Sequence, residues 1–434
     1  MISSTVKRIQ NRRMKRGGLV MSDYLSLASF AFLCFCICRT GHETGSIPVL
    51  YTSFIVIALN VFRLKDLSIS LFKQALPFLV TIFLLPLLQA LPQAPYYSIS
   101  GAFGAAVLFA LFSFCAVLLI LPRGFSRYVW RIINFTVLSA SILILIEFIA
   151  YQFGVRLYTI PVLGDWVFNG WEFSGVGAFR PCAYFSEASH FAELALMSAF
   201  YYLYIKRTLS KFALVAFACL ASTSSLGIMG CAVMALVYVF FFSFTGQRLQ
   251  DSGASRGAIL FRYLLIVLSC FVLMGTFVYL QSSDSWLATR IMDGGTSSMR
   301  VSRSFELFGL LSPLEKVFGI GLQNQALYLN ANGIILPGDL NETLAHREFA
   351  ATIGYVLCTC GLVGVVSFLS MFMPLFRSKS GRPKVLACLL LGIAATCCVF
   401  SRGIFIVMLL LLFAYGSGIW VFDEAEDANH EPET

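Results

Sequence analysis

Charge is the scarcest commodity in this 434-residue chain: Asp, Glu, Lys and Arg together make up 12%, against about a quarter in soluble domains. That deficit excludes an ordinary water-soluble fold. Histidine numbers only four. No H-E-x-x-H occurs, and no D-x-D spacing falls in a loop expected to face outward, so no metal site is expected. The absence of G-x-x-x-x-G-K-[ST] argues against nucleotide hydrolysis. Thirteen cysteines contain no C-x-x-C. All but Cys182 fall inside apolar runs, for example Cys34, Cys36, Cys358 and Cys397, and read as small buried hydrophobes rather than a disulfide framework. The apolar runs lack period-two alternation, which excludes a β-barrel. The formal charge of +9 meets no soluble basic module; the excess belongs to loops beside a membrane, and no nucleic-acid partner is expected. No internal repeat is visible, which counts against a transporter built from inverted repeats.

What is present is apolar: 58% of residues, gathered in runs long enough to span a bilayer as helices. Spans are predicted at about 19–38, 47–62, 75–91, 101–121, 132–153, 188–205, 212–224, 226–244, 260–281, 350–376, 385–400 and 403–422. The stretches 212–244 and 385–422 are each split in two. Turn-forming residues interrupt them (Ser222-Thr-Ser-Ser225 and Ser401-Arg-Gly403), and Lys or Arg flanks both of their ends. The N-terminus carries Lys7, Arg8, Arg12, Arg13, Lys15 and Arg16 with no small-residue cleavage site after the first run, so it reads as a retained first helix entering from the cytoplasm. This topology leaves nine of the 31 Lys and Arg residues outside, eight Arg and Lys316. The bias supports an all-α polytopic membrane protein of about twelve helices with both termini cytoplasmic.

Two outer loops are long, at about 154–187 and 282–349. Loops of that size are usually functional or disordered, and these are aromatic-rich. The first ends in Arg180-Pro-Cys-Ala-Tyr-Phe-Ser-Glu-Ala-Ser-His-Phe-Ala192. A cation, a carboxylate (Glu187) and an imidazole (His190) there sit just before an apolar run, where ionisable groups are costly. Glu187 and Glu193 flank His190, and a carboxylate can orient an imidazole. A lone His is also common as a purely structural residue. Earlier in that loop, Trp166 and Trp171 alternate with Asp165 and Glu172. Aromatic faces beside carboxylates suit a sugar; the same residues also fit an interfacial aromatic belt. The second loop contains Ser297–Phe308, a capped amphipathic helix by pattern, with Arg300 and Arg303 three apart on one face. Two guanidinium groups there can clamp a pyrophosphate, or Arg303 can pair with Glu306 on a solvated face. Gly319-Ile-Gly321 permits a tight turn or close approach of backbone to a ligand. His346-Arg347-Glu348 closes the loop.

These residues carry a resemblance. Phe185-Ser-Glu-Ala-Ser-His-Phe-Ala192 resembles the F-S-E-P-S-H-F-A segment of Wzy-type polymerases of O-antigen and exopolysaccharide synthesis, which are related to the O-antigen ligases. Ala188 stands where relatives often have Pro. Ser222–Gly227, Arg300 with Pro313 and Gly319-Ile-Gly321, and Tyr355–Gly364 are similar to the family's following segments. R-x10-G repeats described for some members are absent from both loops, which counts against a catch-and-release scheme built on them.

The resemblance implies a single GT-C-like transmembrane domain over residues 1–434 in the bacterial inner membrane. It further implies a metal-independent glycosyltransferase without cofactor. The donor would be a glycan on polyprenyl pyrophosphate and the acceptor a sugar hydroxyl of another lipid-linked oligosaccharide. Partners would be membrane lipid and a chain-length regulator and flippase. Arg180, Arg300 and Arg303 are assigned to pyrophosphate. Glu187, then His346 and His190, are assigned to proton transfer, and Trp166, Trp171, Glu172 and Asp165 to sugar. An O-antigen ligase acting on lipid A-core is the nearest alternative. The ligase pattern usually has Asn after a second-loop His, whereas Arg347 follows His346. A transporter or flippase of lipid-linked sugars is the alternative of another class; it predicts broken helices and ionisable groups near the bilayer midplane.

Overall fold

A computed structural model describes residues 21–39, 47–67, 69–90, 96–121, 125–155, 157, 170–173, 178–185, 187–239, 295–334, 350–397, 400 and 402–420. The described chain is mostly helical. Two compact units form, one from Met1–Asn134 with Ser297–Thr434 and the other from Phe135–Thr296.

In the first unit the helices are α1 (Met21–Arg39), α2 (Ile47–Leu59), the short α3 (Ile69–Phe72), α4 (Leu76–Gln89) and α5 (Ile99–Ile120). α6 (Phe125–Gln152) begins there and continues into the second unit. The second unit adds strands β1 (Gly170–Phe173) and β2 (Ala178–Pro181), then α7 (Ala188–Phe200), α8 (Leu209–Ala221) and α9 (Ser225–Val237). The chain returns to the first unit with α10 (Gly295–Leu310), α11 (Pro313–Phe318), α12 (Gln325–Ala331), α13 (Thr352–Ser370), α14 (Met373–Phe376), α15 (Gly381–Thr396) and α16 (Ile404–Gly416).

Among the described residues each predicted span overlaps a helix, while 260–281 lies outside them. Among the described residues four helices are long and apolar enough to cross a membrane: Met21–Cys38 of α1, then α5, α6 and α13. Others are shorter. α16, with 13 residues, rises about 20 Å against a hydrocarbon core of about 30 Å.

Composition explains where helices sit. α16 is apolar all round, and Ile404 through Tyr415 are all buried. Such a helix belongs in an interior, and it packs along α5. Trp130 Nε1 donates to Tyr415 Oη at 2.7 Å and ties α6 to it. At the start of the unit, α1 and the turn after α2 share a buried polar network. Arg63 pairs with Asp23 and donates from Nε to Ser26 Oγ at 3.0 Å. Asn60 Nδ2 donates to Ser29 Oγ at 3.0 Å. A buried charge pair survives only when so fully hydrogen-bonded.

In the second unit α7 is the central helix, with every residue buried except Ser189. It continues through a π turn at Tyr201–Ile205, where Lys206 N bonds back to Tyr201 O at 2.9 Å. α8 and α9 pack against it. Gly230 makes room for Leu196, whose Cδ2 lies 2.5 Å from where a Cβ would stand; small residues allow such close helix approach. The Ser-rich break predicted near 222–225 is a turn with Thr223 at φ +52°. Ser224 caps α9 there by accepting from Gly227 N at 3.4 Å.

Two features depart from the sequence reading. The first loop contains a two-stranded antiparallel ribbon, not anticipated because four-residue strands leave little alternation to read. And the predicted span 350–376 is not continuous: α13 is broken at Gly361, with φ +65° and ψ −167°.

Candidate functional site

The charged segment of the second unit is anchored to α6 rather than hanging free. Phe185 N bonds to Cys182 O at 3.0 Å, closing a turn. Ala183 at its centre has φ +51°, a left-handed conformation that costs a non-glycine residue roughly 1–2 kcal/mol. Two contacts hold it there. Ala183 N donates to Glu147 Oε2 at 3.0 Å, and Tyr184 Oη donates to Thr136 O and shares a hydrogen bond with Ser139 Oγ at 2.8 Å. Thr136, Ser139 and Glu147 belong to the middle and second half of α6, so the turn lies along the body of a membrane-length helix.

Arg180 precedes this turn at the end of β2, half-buried, and is paired across the ribbon with Trp171; Glu172 pairs with Phe179. The backbone thus makes neighbours of two residues that the sequence assigned to different tasks. Glu187 follows the turn as the N-cap of α7, with extended backbone. Its carbonyl accepts from His190 N at 3.1 Å and Phe191 N at 3.2 Å. The helix starts at Ala188 without the proline found in similar sequences. A carboxylate at this end of a helix is electrostatically favoured.

The two titratable groups of the segment differ in access. Glu187 has a side chain 30% exposed, and its Oε2 accepts from Ser189 Oγ at 2.8 Å. His190 is 1% exposed, with Nε2 at 3.9 Å from that same oxygen, too long for a hydrogen bond. Glu187 can therefore meet a substrate proton directly. His190 is buried behind it, and the carboxylate is held by Ser189 instead. Glu193, one turn further on, is fully buried.

Glu147 is the residue that the sequence reading missed. It is 4% exposed within the run Ser141-Ile-Leu-Ile-Leu-Ile-Glu-Phe-Ile-Ala150. A solitary carboxylate inside an apolar run is itself the signal, because such a group is retained at high cost.

The second-loop candidates belong to the first unit. α10 contains both Arg300 and Arg303 as the pattern predicted. Arg303 is 7% exposed, whereas Glu306 is exposed, so the Arg303 position is not a solvated face. Beside it, Ser304 is fully buried against Gly354 of α13; a Cβ on that glycine would lie 2.3 Å from Ser304 Oγ. α11 opens with a capping box in which Ser312 N donates to Glu315 Oε2 at 2.9 Å. Burial alone would raise the pKa of Glu315. Hydrogen bonds from Ser312, Tyr96 and Tyr328 more than offset this and hold it below the ordinary value.

Gly319-Ile-Gly321 does make a close backbone approach, and its partner is α13. Ile320 N donates to Cys358 O at 3.0 Å and Gly321 N to Thr359 O at 2.8 Å. These carbonyls are the ones that the break at Gly361 releases from the helix ladder. A Cβ on Gly319 would stand 2.2 Å from Thr359 O, and one on Gly361 2.3 Å from Val317 O. Gln89 Nε2 bridges Phe318 O at 2.6 Å and Thr359 O at 3.1 Å. The break in α13 and the buried Glu147 and Glu193 are features that the sequence argument did not anticipate.

Asp165, Trp166 and His346 lie outside the described residues. No protein-family model matches the chain, and no curated protein matches it.

Proposed function

We propose that the protein is a Wzy-type polysaccharide polymerase of about twelve spans, in the bacterial inner membrane with both termini cytoplasmic. The observation that carries the reading is the segment Arg180–His190: a half-exposed carboxylate heads a buried helix, with an arginine on the adjoining strand. A glycan on polyprenyl pyrophosphate is the donor, and a sugar hydroxyl of an incoming lipid-linked repeat unit attacks its anomeric carbon. The new C–O bond forms as the bond to pyrophosphate breaks, and the leaving group departs with the electron pair. Glu187 takes the hydroxyl proton, a contribution of about 10²–10⁴-fold in rate. Arg180 balances the charge that develops on pyrophosphate, a form of electrostatic stabilisation often larger than any other term; the family resemblance assigns the same role to Arg300 and Arg303. Trp171, opposite Arg180 in the ribbon, and Glu172, opposite Phe179, are assigned to the sugar.

A second reading has one observation in its favour. Broken helices line the sites of many transporters, and α13 is broken at Gly361. The break in this chain is occupied by residues 319–321 of the chain itself, which favours a structural joint over a substrate site.

Reconstitution into liposomes with polyprenyl-pyrophosphate-linked repeat units tests the reading. A ladder of multiples is expected. Single units that stay single would overturn it. Transfer to added lipid A-core would mean a ligase, and movement of the lipid-linked sugar across the bilayer without bond formation a flippase.

A further inference from the structure

We infer that Glu147 is the positioning residue of this site: from inside α6 it accepts the Ala183 amide and so fixes the turn that joins Arg180 to Glu187. The inference rests on the reading that these two residues serve glycosyl transfer.

Three observations carry it. First, a carboxylate that is 4% exposed in an apolar helix is far costlier than the leucine or isoleucine that would pack there as well. It accepts the Ala183 amide at 3.0 Å. Second, Ala183 adopts φ +51°. A strained non-glycine residue persists only where its surroundings over-determine it, and Glu147 supplies a hydrogen bond at that residue. Third, Arg180 and Glu187 lie at either side of the turn. The seven residues from one to the other reach roughly 23 Å when extended, so nothing in the chain alone keeps a guanidinium and a base in register on one substrate. The turn does, and Glu147 with the Tyr184 contacts to Thr136 and Ser139 is what pins it to a rigid helix. Glu147 touches no reacting atom.

Cys182 makes the pin measurable without reference to activity. It sits in the turn, 4% exposed, and its alkylation by N-ethylmaleimide in the full-length protein reports release of the turn. Glu147→Ala is expected to speed Cys182 alkylation roughly 10–100-fold, the effect of leaving a buried amide without its acceptor. Labelling of the other cysteines and the melting behaviour should stay unchanged. In the liposome assay its kcat should fall at least about tenfold while KM for the lipid-linked donor moves little. Glu147→Gln keeps an oxygen for the Ala183 amide and should restore both protection and polymer. Glu147→Asp falls one methylene short and should label faster than wild type; it carries the test if the alanine variant does not accumulate. Unchanged Cys182 labelling in the alanine and aspartate variants overturns the inference. So does a glutamine variant as labelled as the alanine one, or a released turn with wild-type polymer synthesis. If the wild-type protein builds no polymer, the polymerase reading fails by itself, and the Cys182 arm still decides whether Glu147 holds the turn.

Discussion

The joint at Gly361 and the turn at Ala183 solve the same problem in opposite ways. Both hold a loop against a membrane-length helix. At Gly361 the contact is backbone on backbone, with glycines on both sides and no room for a single added methyl. At Ala183 the backbone is held by side chains, one of them a buried carboxylate, and a strained residue stands where glycine would be comfortable. A joint of the first kind only has to be closed. The second kind keeps a buried ionisable group at a standing cost that the first kind avoids.

The contrast can be broken most directly at Glu187. Glu187→Gln should abolish polymer, a loss of about 10²-fold or more in rate, while protein still accumulates in the membrane. Normal polymer length in that variant would remove the carboxylate from the mechanism and leave the two regions alike.

Next in size is the joint itself. Gly361→Ala places a methyl 2.3 Å from Val317 O at φ +65° and should cost about 2–4 kcal/mol. The expected signature is lost folded protein in detergent, with the remaining folded fraction retaining its specific activity. A fully folded but inactive variant would instead make the joint part of the site.

Arg300→Lys sharpens the comparison from the first unit. An ammonium cannot replace the bidentate fork, so polymerisation should fall about tenfold or more with stability unchanged; full activity would sink the clamp.

A smaller effect is expected at Glu315. Its folded pKa is lowered from the ordinary 4.5 by its hydrogen bonds, against the pull of burial. Its contribution to stability is therefore present above pH 4.5 and lost as pH falls through the lowered value. Melting curves of wild type and Glu315→Gln should differ at neutral pH and converge in acid. Divergence that grows on acidification would reverse the sign and refute the assignment. Smallest of all, Ala183→Gly relieves the φ strain and should change stability by about 1 kcal/mol or less, with activity kept.

How far the sequence reached depends on what each feature is made of. Helices were legible because apolar runs and Lys/Arg flanks are properties of composition, and the Ser-rich turn before α9 was legible because Ser224 caps it with its own side chain. The break in α13 was not. Gly361-Leu-Val-Gly364 sits in an unbroken apolar run, and what makes it a break is a distant loop whose amides compete for its carbonyls. Arg303 was legible as a helix residue but its burial was not, since burial depends on α13 and Gly354. Glu147 was legible and overlooked: one carboxylate among isoleucines carries more information than the aromatic loop that drew attention instead.

The joint at Gly361 also bears on how the protein is made. Residues 319–321 leave the ribosome before α13 does, and they carry the amides that its Cys358 and Thr359 carbonyls require. Until they dock, nothing competes for those carbonyls, so α13 enters the bilayer as a continuous helix, whose ladder satisfies them internally, and breaks when the loop arrives. The break is thus a late event of folding, and an insertion that merely lengthened the loop between them would delay it while altering no residue of either partner.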